Sequence, residues 1–403
     1  MPSTLPVGDP APRDGALPAA AVAEATSRPL SVYVHVPFCR VRCGYCDFNT
    51  YTAEELRGTS RASYAATAVA EVRLARGVLA GVDRPVETVF FGGGTPTLLP
   101  AADLARVLAA VRAEFGLAPD AEVTTEANPD SVDPASLAAL REAGFTRMSF
   151  GMQSAVPRVL RTLDRTHDPD RVPAAVAWAR AAGFEAVSLD LIYGTPGESA
   201  GDWQSSLETA LASGPDHLSA YALIIEEGTR LAARIRRGEL AMPDDDDLAD
   251  KYVQAEEALA GLSWYEVSNW ATSPARRCRH NLGYWRGDSW WGVGPGAHSH
   301  VGGVRWWNVK HPAAHAAKLA EGASPAQARE VLGAEERRVE RVMLGVRLAE
   351  GHPLTDLRPI GRAGAGRLVG EGLLEASAYD AGRAALTVRG RLLADAVVRD
   401  LVD

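Results

Sequence analysis

Little in this chain points to a disulfide framework, a membrane or a nucleic acid. It has four cysteines in 403 residues, three of them between positions 39 and 46 and the fourth far away at Cys278. An even spread of cysteines is missing, and a chain this long does not need staples to fold. No apolar run reaches the roughly eighteen residues that a membrane span requires, so none is expected. The start of the chain has no basic stretch leading into an apolar one, so no secretory signal is visible and the cytoplasm is the expected location. Basic residues are in deficit. The 42 Lys and Arg against 51 Asp and Glu leave a net charge of -9. Non-specific nucleic-acid binding rests on neutralising phosphates, so no nucleic-acid partner is expected. The acidic run Asp244–Asp247 reads as a solvated loop or a helix start. The remaining composition, 46% hydrophobic and 23% charged, is that of an ordinary globular protein.

Residues 1–28 are rich in Ala, Pro, Ser and Gly without periodicity and read as a disordered tail. From residue 29 to about 235 strands and helices alternate. Strand composition marks 31–36, 87–91, 122–127, 147–151, 186–192 and 216–225. Amphipathic stretches fall at 61–80, 101–115, 135–143, 171–182 and 203–213, with Gly144, Gly183 and Gly214 at helix ends. Such alternation implies a parallel sheet with helices outside. Six units suggest an incomplete (β/α)6 barrel of the α/β class. Residues 236–333 form an extension, crowded with Trp, Gly, His and Asn over 264–308 and showing little periodicity there. Residues 334–403 read as a C-terminal, mostly helical, winged-helix-like module, with helices at 335–348, 367–375 and 391–402 and a short strand at 384–388. Its helices mix acidic and basic residues, which argues against DNA binding.

Cys39, Cys43 and Cys46 follow the first strand with three and two residues between them. One short loop can wrap three thiolates around a single inorganic core, and thiolates are the soft ligands that iron–sulfur clusters require. A cubane needs four ligands, so one iron stays open for a small molecule. Zinc is the rival, but it usually adds a second Cys pair or two His, and nothing of that form follows.

The run from Tyr33 through His35, Pro37, Phe38, Cys39, Cys43, Tyr45 and Cys46 resembles the signature of radical SAM proteins. More narrowly it is similar to the oxygen-independent coproporphyrinogen III oxidase family and its heme-chaperone relatives, over about 29–403. The resemblance implies a radical-SAM barrel whose [4Fe–4S] cluster sits on Cys39, Cys43 and Cys46, with S-adenosylmethionine (SAM) chelating the open iron. An electron from the cluster then breaks the sulfonium bond, giving methionine and a 5′-deoxyadenosyl radical. The cofactor carries that chemistry; the protein binds and shields it.

Glycine runs let backbone approach a ligand closely. Gly92, Gly93, Gly94, Thr95 and Pro96 follow the second strand and are similar to the superfamily's element that bonds the SAM amino group. In barrels, sites form at the C-terminal ends of strands, where Glu126, Gln153 and Asp190 fall. By the resemblance Glu126 accepts from ribose hydroxyls, and Asp190 and Gln153 bond the ribose or carboxylate. Arg165 pairs with the carboxylate. Tyr33 and the backbone at Tyr45 flank the adenine or the cluster, and Ile224 joins them by spacing.

Two features bear on the task. The oxidase branch typically carries a further cysteine two positions after the third, where this chain has Phe48. The chaperone branch resembles this chain there, and also in His280-Asn281-Leu-Gly-Tyr284-Trp285. A His can ligate heme iron, and Tyr and Trp offer flat apolar surface to a porphyrin. His280, Asn281, Tyr284 and Trp285 are the expected heme contacts, with Cys278 a second candidate ligand or a buried thiol. The Gly-rich stretch with His298 and His300 reads as a structural loop, and Trp306 and Trp307 as packing residues. The expected function is therefore a heme chaperone that binds heme and passes it to an unidentified acceptor protein, with an electron donor as a further partner. Enzymatic activity stays open. The alternatives are an oxygen-independent coproporphyrinogen III oxidase, decarboxylating propionates, and a zinc-structured binding protein.

Overall fold

A computed structural model describes residues 7–56 and 61–402. In chain order its main strands are β1 (Asp9–Pro10), β2 (Leu30–Val36), β3 (Val86–Gly93), β4 (Leu117–Ala127), β5 (Arg147–Gln153), β6 (Ala186–Tyr193) and β7 (His217–Ala222). They continue with β8 (Ser263–Glu266), β9 (Asn269–Ala271), β10 (Ser289–Val293), β11 (His298–Val301), β12 (Val304–Asn308) and β13 (Ala326–Val331). All belong to one sheet in the order β1-β13-β12-β11-β10-β2-β3-β4-β5-β6-β7-β9-β8. The six expected strands, β2 to β7, run parallel side by side. The two ends of that order are different strands, so the barrel stays open. This is the expected incomplete barrel.

Side-chain alternation explains its layering. In β2, β5 and β6 one set of alternate residues is apolar: Val32, Val34 and Val36; Met148, Phe150 and Met152; Val187, Leu189 and Leu191. This set is buried in the main core, which also takes Leu104, Val107, Leu108 and Val111 from the helix Ala101–Phe115. The other set is polar and pairs across neighbouring strands. Thr88 donates to Ser31 (2.9 Å), Ser149 to Asp190 (2.9 Å), and Ser188 bonds His217 (2.7 Å). The barrel thus has an oily outside under its helices and a hydrogen-bonded inside. The helices fall close to expectation: Arg61–Val78, Ala101–Phe115, Pro134–Ala143, Arg171–Ala181 and Ala200–Ala212. Asp244 caps the helix Asp245–Ala258, so the acidic run is a helix start, favoured at the positive end of the helix dipole. Among the described residues no helix is long and apolar enough to cross a membrane.

Three expectations need correction. Residues 1–6 of the expected tail lie outside the described residues, but 7–28 are folded. β1 pairs antiparallel with β13, and the helix Ala19–Ala25 buries Ala21 and Ala25. Glu24 pairs with Arg337, and Ser324 donates its N–H to the Arg13 carbonyl (2.7 Å). The two fully buried positions of this helix are alanines, so its contacts leave little hydrophobic signal in the sequence. The extension is not irregular either. β8 and β9 lengthen the sheet beyond β7, and β10 runs parallel to β2 at the other side. Paired tryptophans at 290–291 and 306–307 hide the period of these short strands. In the C-terminal module the middle helix is Pro359–Gly370 rather than 367–375, started by proline at its first turn. The closing helix is Ala394–Val402. A two-stranded sheet joins His352–Pro353 to Arg383–Ala384, and the module has its own core around Val342, Leu368, Leu386 and Val397.

If residues 7–28 are part of the fold, removing residues 1–28 should lower the melting temperature by about 5 °C or more. Scanning calorimetry of full-length and shortened chains checks this; equal melting would mark the segment as a passive appendage.

Candidate functional site

β2 ends at Val36, where Pro37 interrupts the ladder. The chain then leaves the sheet and returns. Cys39 donates its N–H to the Tyr51 carbonyl (3.0 Å), and Tyr51 donates to the Pro37 carbonyl (2.7 Å). The loop so closed carries all three thiols, each free and half-buried. Its middle is clamped from both sides: Gly44 donates to the Leu163 carbonyl (3.0 Å) and accepts from the Leu231 N–H (2.8 Å). The Tyr45 side chain packs against a small apolar cluster of Val159, Leu163, Ile192, Leu223 and Leu231.

Burial, then the neighbouring Cys43, pushes the Cys39 thiol up, against hydrogen bonds from Thr50 and Thr95. Burial pushes Cys46 up to about 12. Thiols this reluctant to ionise become thiolates only when a cation accompanies them, and iron is such a partner. Among the described residues no three His, Cys, Asp or Glu side chains converge where a single metal ion could sit. Three free thiols in one short loop fit a cubane, which spreads its thiolates over separate irons. Arg165 donates through Nη1 to Cys43 Sγ at 3.7 Å.

The glycine run lies alongside this loop. Gly94 donates to the Val36 carbonyl (2.8 Å) and Thr95 to the Phe38 carbonyl (2.7 Å). Gly93 has φ +105°, and a Cβ there would meet the His35 ring at 2.5 Å. A Cβ on Gly94 would meet the Phe38 carbonyl oxygen at 2.5 Å. No side chain fits either position, so the two loops run backbone to backbone. Glu126 Oε2 accepts from the Gly93 N–H (3.2 Å). Burial, with Asp190 close by, pushes the Glu126 carboxyl up to about 8; burial also raises Asp190.

Arg165 also donates through Nη2 to Asn128 Oδ1 and to the Gly151 carbonyl, both at 2.7 Å. Asn128 in turn donates to Thr95 Oγ1 (3.2 Å). Gln153, at a bulge in β5, has φ +62°, an uncommon conformation for a residue with a side chain. A Cβ on Gly151 would meet Gln153 Nε2 at 2.9 Å, Arg165 at 3.3 Å and Asn128 at 3.7 Å. Gly93, Gly94, Thr95, Glu126, Gln153, Arg165 and Asp190 are therefore brought to the strand ends beside the cysteine loop. Beside Arg165 a small open pocket is lined by Cys43, Asn128, Ser131 and His167 among others. Asn128, which bridges Thr95 and Arg165, went unassigned in the sequence; its position two residues after Glu126 was the available signal. Tyr33 sits deeper, its hydroxyl bonded to His35 Nδ1 (3.0 Å), while His35 Nε2 bonds the Asn49 carbonyl (2.9 Å). Burial lowers His35 to about 4. Ile224 lies two residues past the end of β7 and is 68% exposed.

The hexapeptide lies deeper in the barrel than the cysteine loop. It opens the helix Arg279–Arg286, whose first N–H groups, at Arg279 and His280, donate to the Glu122 carboxylate at 3.0 Å. The His280 ring bonds Thr88 Oγ1 through Nδ1 (2.6 Å) and the Tyr284 hydroxyl through Nε2 (2.8 Å). It stacks on Phe90 at 5.2 Å and is 2% exposed. Burial lowers it to about 3. Asn281 donates to Glu266 (2.9 Å), and Trp285 packs beside Tyr265, Leu282 and Leu348. Thr88 stands five residues before Gly93, on the order of 16 Å down the strand. The hexapeptide thus braces the barrel interior toward its floor, and His280 has no free ring nitrogen for a ligand. Cys278 is a buried thiol, 6% exposed and 3.7 Å from Glu122 Oε1. Trp306 and Trp307 are packing residues, both buried.

Comparison with known proteins bears on the family and the fold. A family model described as the radical SAM superfamily matches residues 33–210. The chain is 54% identical to the heme chaperone HemW of Mycobacterium tuberculosis, over 93% of this chain and 95% of that one. It is 38% identical to the heme chaperone HemW of Escherichia coli, over 68% and 70%. Its fold matches the solved coproporphyrinogen III oxidase HemN of Escherichia coli, a radical SAM enzyme, with a TM-score of 0.79 and 24% identity over 94% of this chain and 91% of that one. At that identity the likeness speaks to the fold alone.

The raised Glu126 carboxyl has a consequence for stability. Its folded pKa of about 8 exceeds its unfolded value, so the stability it contributes is present below the unfolded value and is lost as pH rises through about 8. Replacing it by a neutral amide removes that loss. The melting advantage of Glu126→Gln over wild type, measured on cluster-free protein, should grow between about pH 4.5 and pH 8 and level off above. A constant difference across that range would contradict the buried carboxyl.

Proposed function

The chain belongs to the heme chaperone HemW family, and from that premise we propose that it binds heme and transfers it to an acceptor protein while carrying a [4Fe–4S] cluster and SAM. The observation that carries this reading is the cysteine loop: three thiols at the end of β2, followed by an exposed Phe48 where the oxidase branch typically places another cysteine. When bound, the cluster supplies an open iron for SAM and a source of single electrons. Cys39, Cys43 and Cys46 hold three irons. The backbone of Gly93 and Gly94, with Thr95, orients the SAM amino group, and Arg165, fixed by Asn128 and Gly151, pairs with its carboxylate. Glu126 and Asp190 accept from ribose hydroxyls, Gln153 assists, and Tyr33, Ile224 and the backbone at Tyr45 flank the ligand. The protein works in the cytoplasm, with an acceptor for heme and a donor for electrons.

The heme face is assigned away from the hexapeptide, because His280 is already engaged on both nitrogens. Anaerobic titration of cluster-loaded protein should show one equivalent of heme bound, with no protoporphyrinogen formed from coproporphyrinogen III and SAM. His280→Ala should melt lower yet keep that equivalent. Wild type that holds its cluster but binds no heme would refute the chaperone reading, and product formation would make the protein an oxidase. Lost heme binding with unchanged melting would return His280 to the heme.

A further inference from the structure

We infer that His300, on the face of β11 beside Trp290, is the axial ligand of the heme iron; this rests on the reading that the protein carries heme. The chain has nine histidines. A ligand needs a ring nitrogen with a free lone pair that a macrocycle can reach. His35, His217 and His280 are bonded at both nitrogens. His315 bonds Glu71 through Nε2 (2.7 Å) and is buried, as are His167 and His352. His311 is exposed, but its Nδ1 accepts from the Ala313 N–H (3.2 Å). Its proton is therefore on Nε2, the outer nitrogen, which has no lone pair to give. The remaining two, His298 and His300, are both on β11.

Both are half-buried and share one face, since Val301 takes the opposite side into the main core. Only His300 has its ring set for a metal. Its Nδ1 lies 3.0 Å from the Asp288 carbonyl, which can only accept, so Nδ1 carries the proton. Burial lowers the ring's pKa below the ordinary imidazole value, so at neutral pH Nε2 is left as a bare lone pair. Nε2 has no partner among the described residues and is open to solvent. Histidines that bind metals are aimed in this way: one nitrogen donates to a carbonyl or carboxylate, and the other faces the metal. His298 stacks on Trp307 at 6.0 Å, and among the described residues no hydrogen bond fixes its ring.

The surroundings join His300 to the hexapeptide. Trp290, opposite it in the β10–β11 ladder, has its ring 5.0 Å away. Tyr284 meets the other side of Trp290 edge-on at 4.7 Å, and His280 meets Tyr284 at 4.9 Å. The indole is held in place as well, because Trp290 Nε1 donates to the His298 carbonyl (3.1 Å). A row of rings thus runs from the braced hexapeptide to the free imidazole, and its indole offers flat apolar surface beside the ligand. The hexapeptide acts on heme through this row: His280 and Tyr284 are positioning residues, and His300 makes the bond. Nε2 gives its lone pair to the iron in place of a water, with no electron transferred and no proton released.

The test titrates ferric heme into cluster-loaded full-length protein and reads both affinity and the heme absorption and resonance spectra. Wild type is compared with His298→Ala, His300→Ala and His300→Met. Wild type and His298→Ala should share one histidine-ligated spectrum. His300→Ala should lose that spectrum and bind heme at least about tenfold more weakly, the low end of what losing even a ligand's hydrogen-bond partner costs. Added imidazole should restore the spectrum in that variant, which a purely structural role of His300 does not allow. His300→Met should bind heme with a changed, thioether-type spectrum, and it carries the test if the alanine variant does not fold. An unchanged spectrum in both His300 variants would overturn the assignment. So would a loss in His300→Ala that imidazole does not restore, or a loss in His298→Ala alone. Wild type that holds its cluster but takes up no heme refutes the chaperone reading itself, and the ligand falls with it.

Discussion

Much of this molecule hangs on a single peptide group, Gly44. Its N–H and carbonyl are held by segments that follow β5 and β7, so one short loop is tied to two distant parts of the barrel. A cluster-binding loop without such ties pays the full conformational entropy of ordering its ligands when metal arrives. Here the order is imposed beforehand by backbone hydrogen bonds. The same ties bring Arg165 to Cys43.

Barrel and cysteine loop were legible because their physics is local. Alternating strands and helices with apolar outer faces mark the six parallel strands, and three thiols in a short loop have few purposes. The strand-end residues were legible by position, since a parallel barrel delivers its C-terminal ends to one face. What stayed hidden is non-local. The Arg165–Asn128–Thr95 chain depends on side chains from three loops meeting. The helix Ala19–Ala25 buries nothing larger than methyl groups at its two buried positions, so composition reads as disorder where packing says otherwise. The use of the hexapeptide was ambiguous for a related reason. Its residue types suit heme, but a buried His with both nitrogens bonded is equally well used as a brace, and only the partners Thr88 and Tyr284 decide between the two.

The inner face of the barrel has a further property. Its polar residues are paired strand to strand rather than left for water, and burial keeps His35 and His280 neutral at physiological pH. A charge arriving at the strand ends therefore meets few competing ions from below. Glu126 and Asp190 are the carboxyls of this face; burial raises both, and Glu126, at about 8, touches the glycine run through Gly93.

The position of β1 carries a consequence beyond packing. A thirteen-stranded open sheet offers unpaired backbone at both rims, and such rims recruit other chains. At one rim the last strand is only Asp9–Pro10. Proline has no N–H to offer a newcomer, and the aspartate beside it places a charge where an apolar strand would have to dock. The first residues of the fold therefore act as a selvedge: they finish the sheet so that it does not continue into a neighbouring molecule.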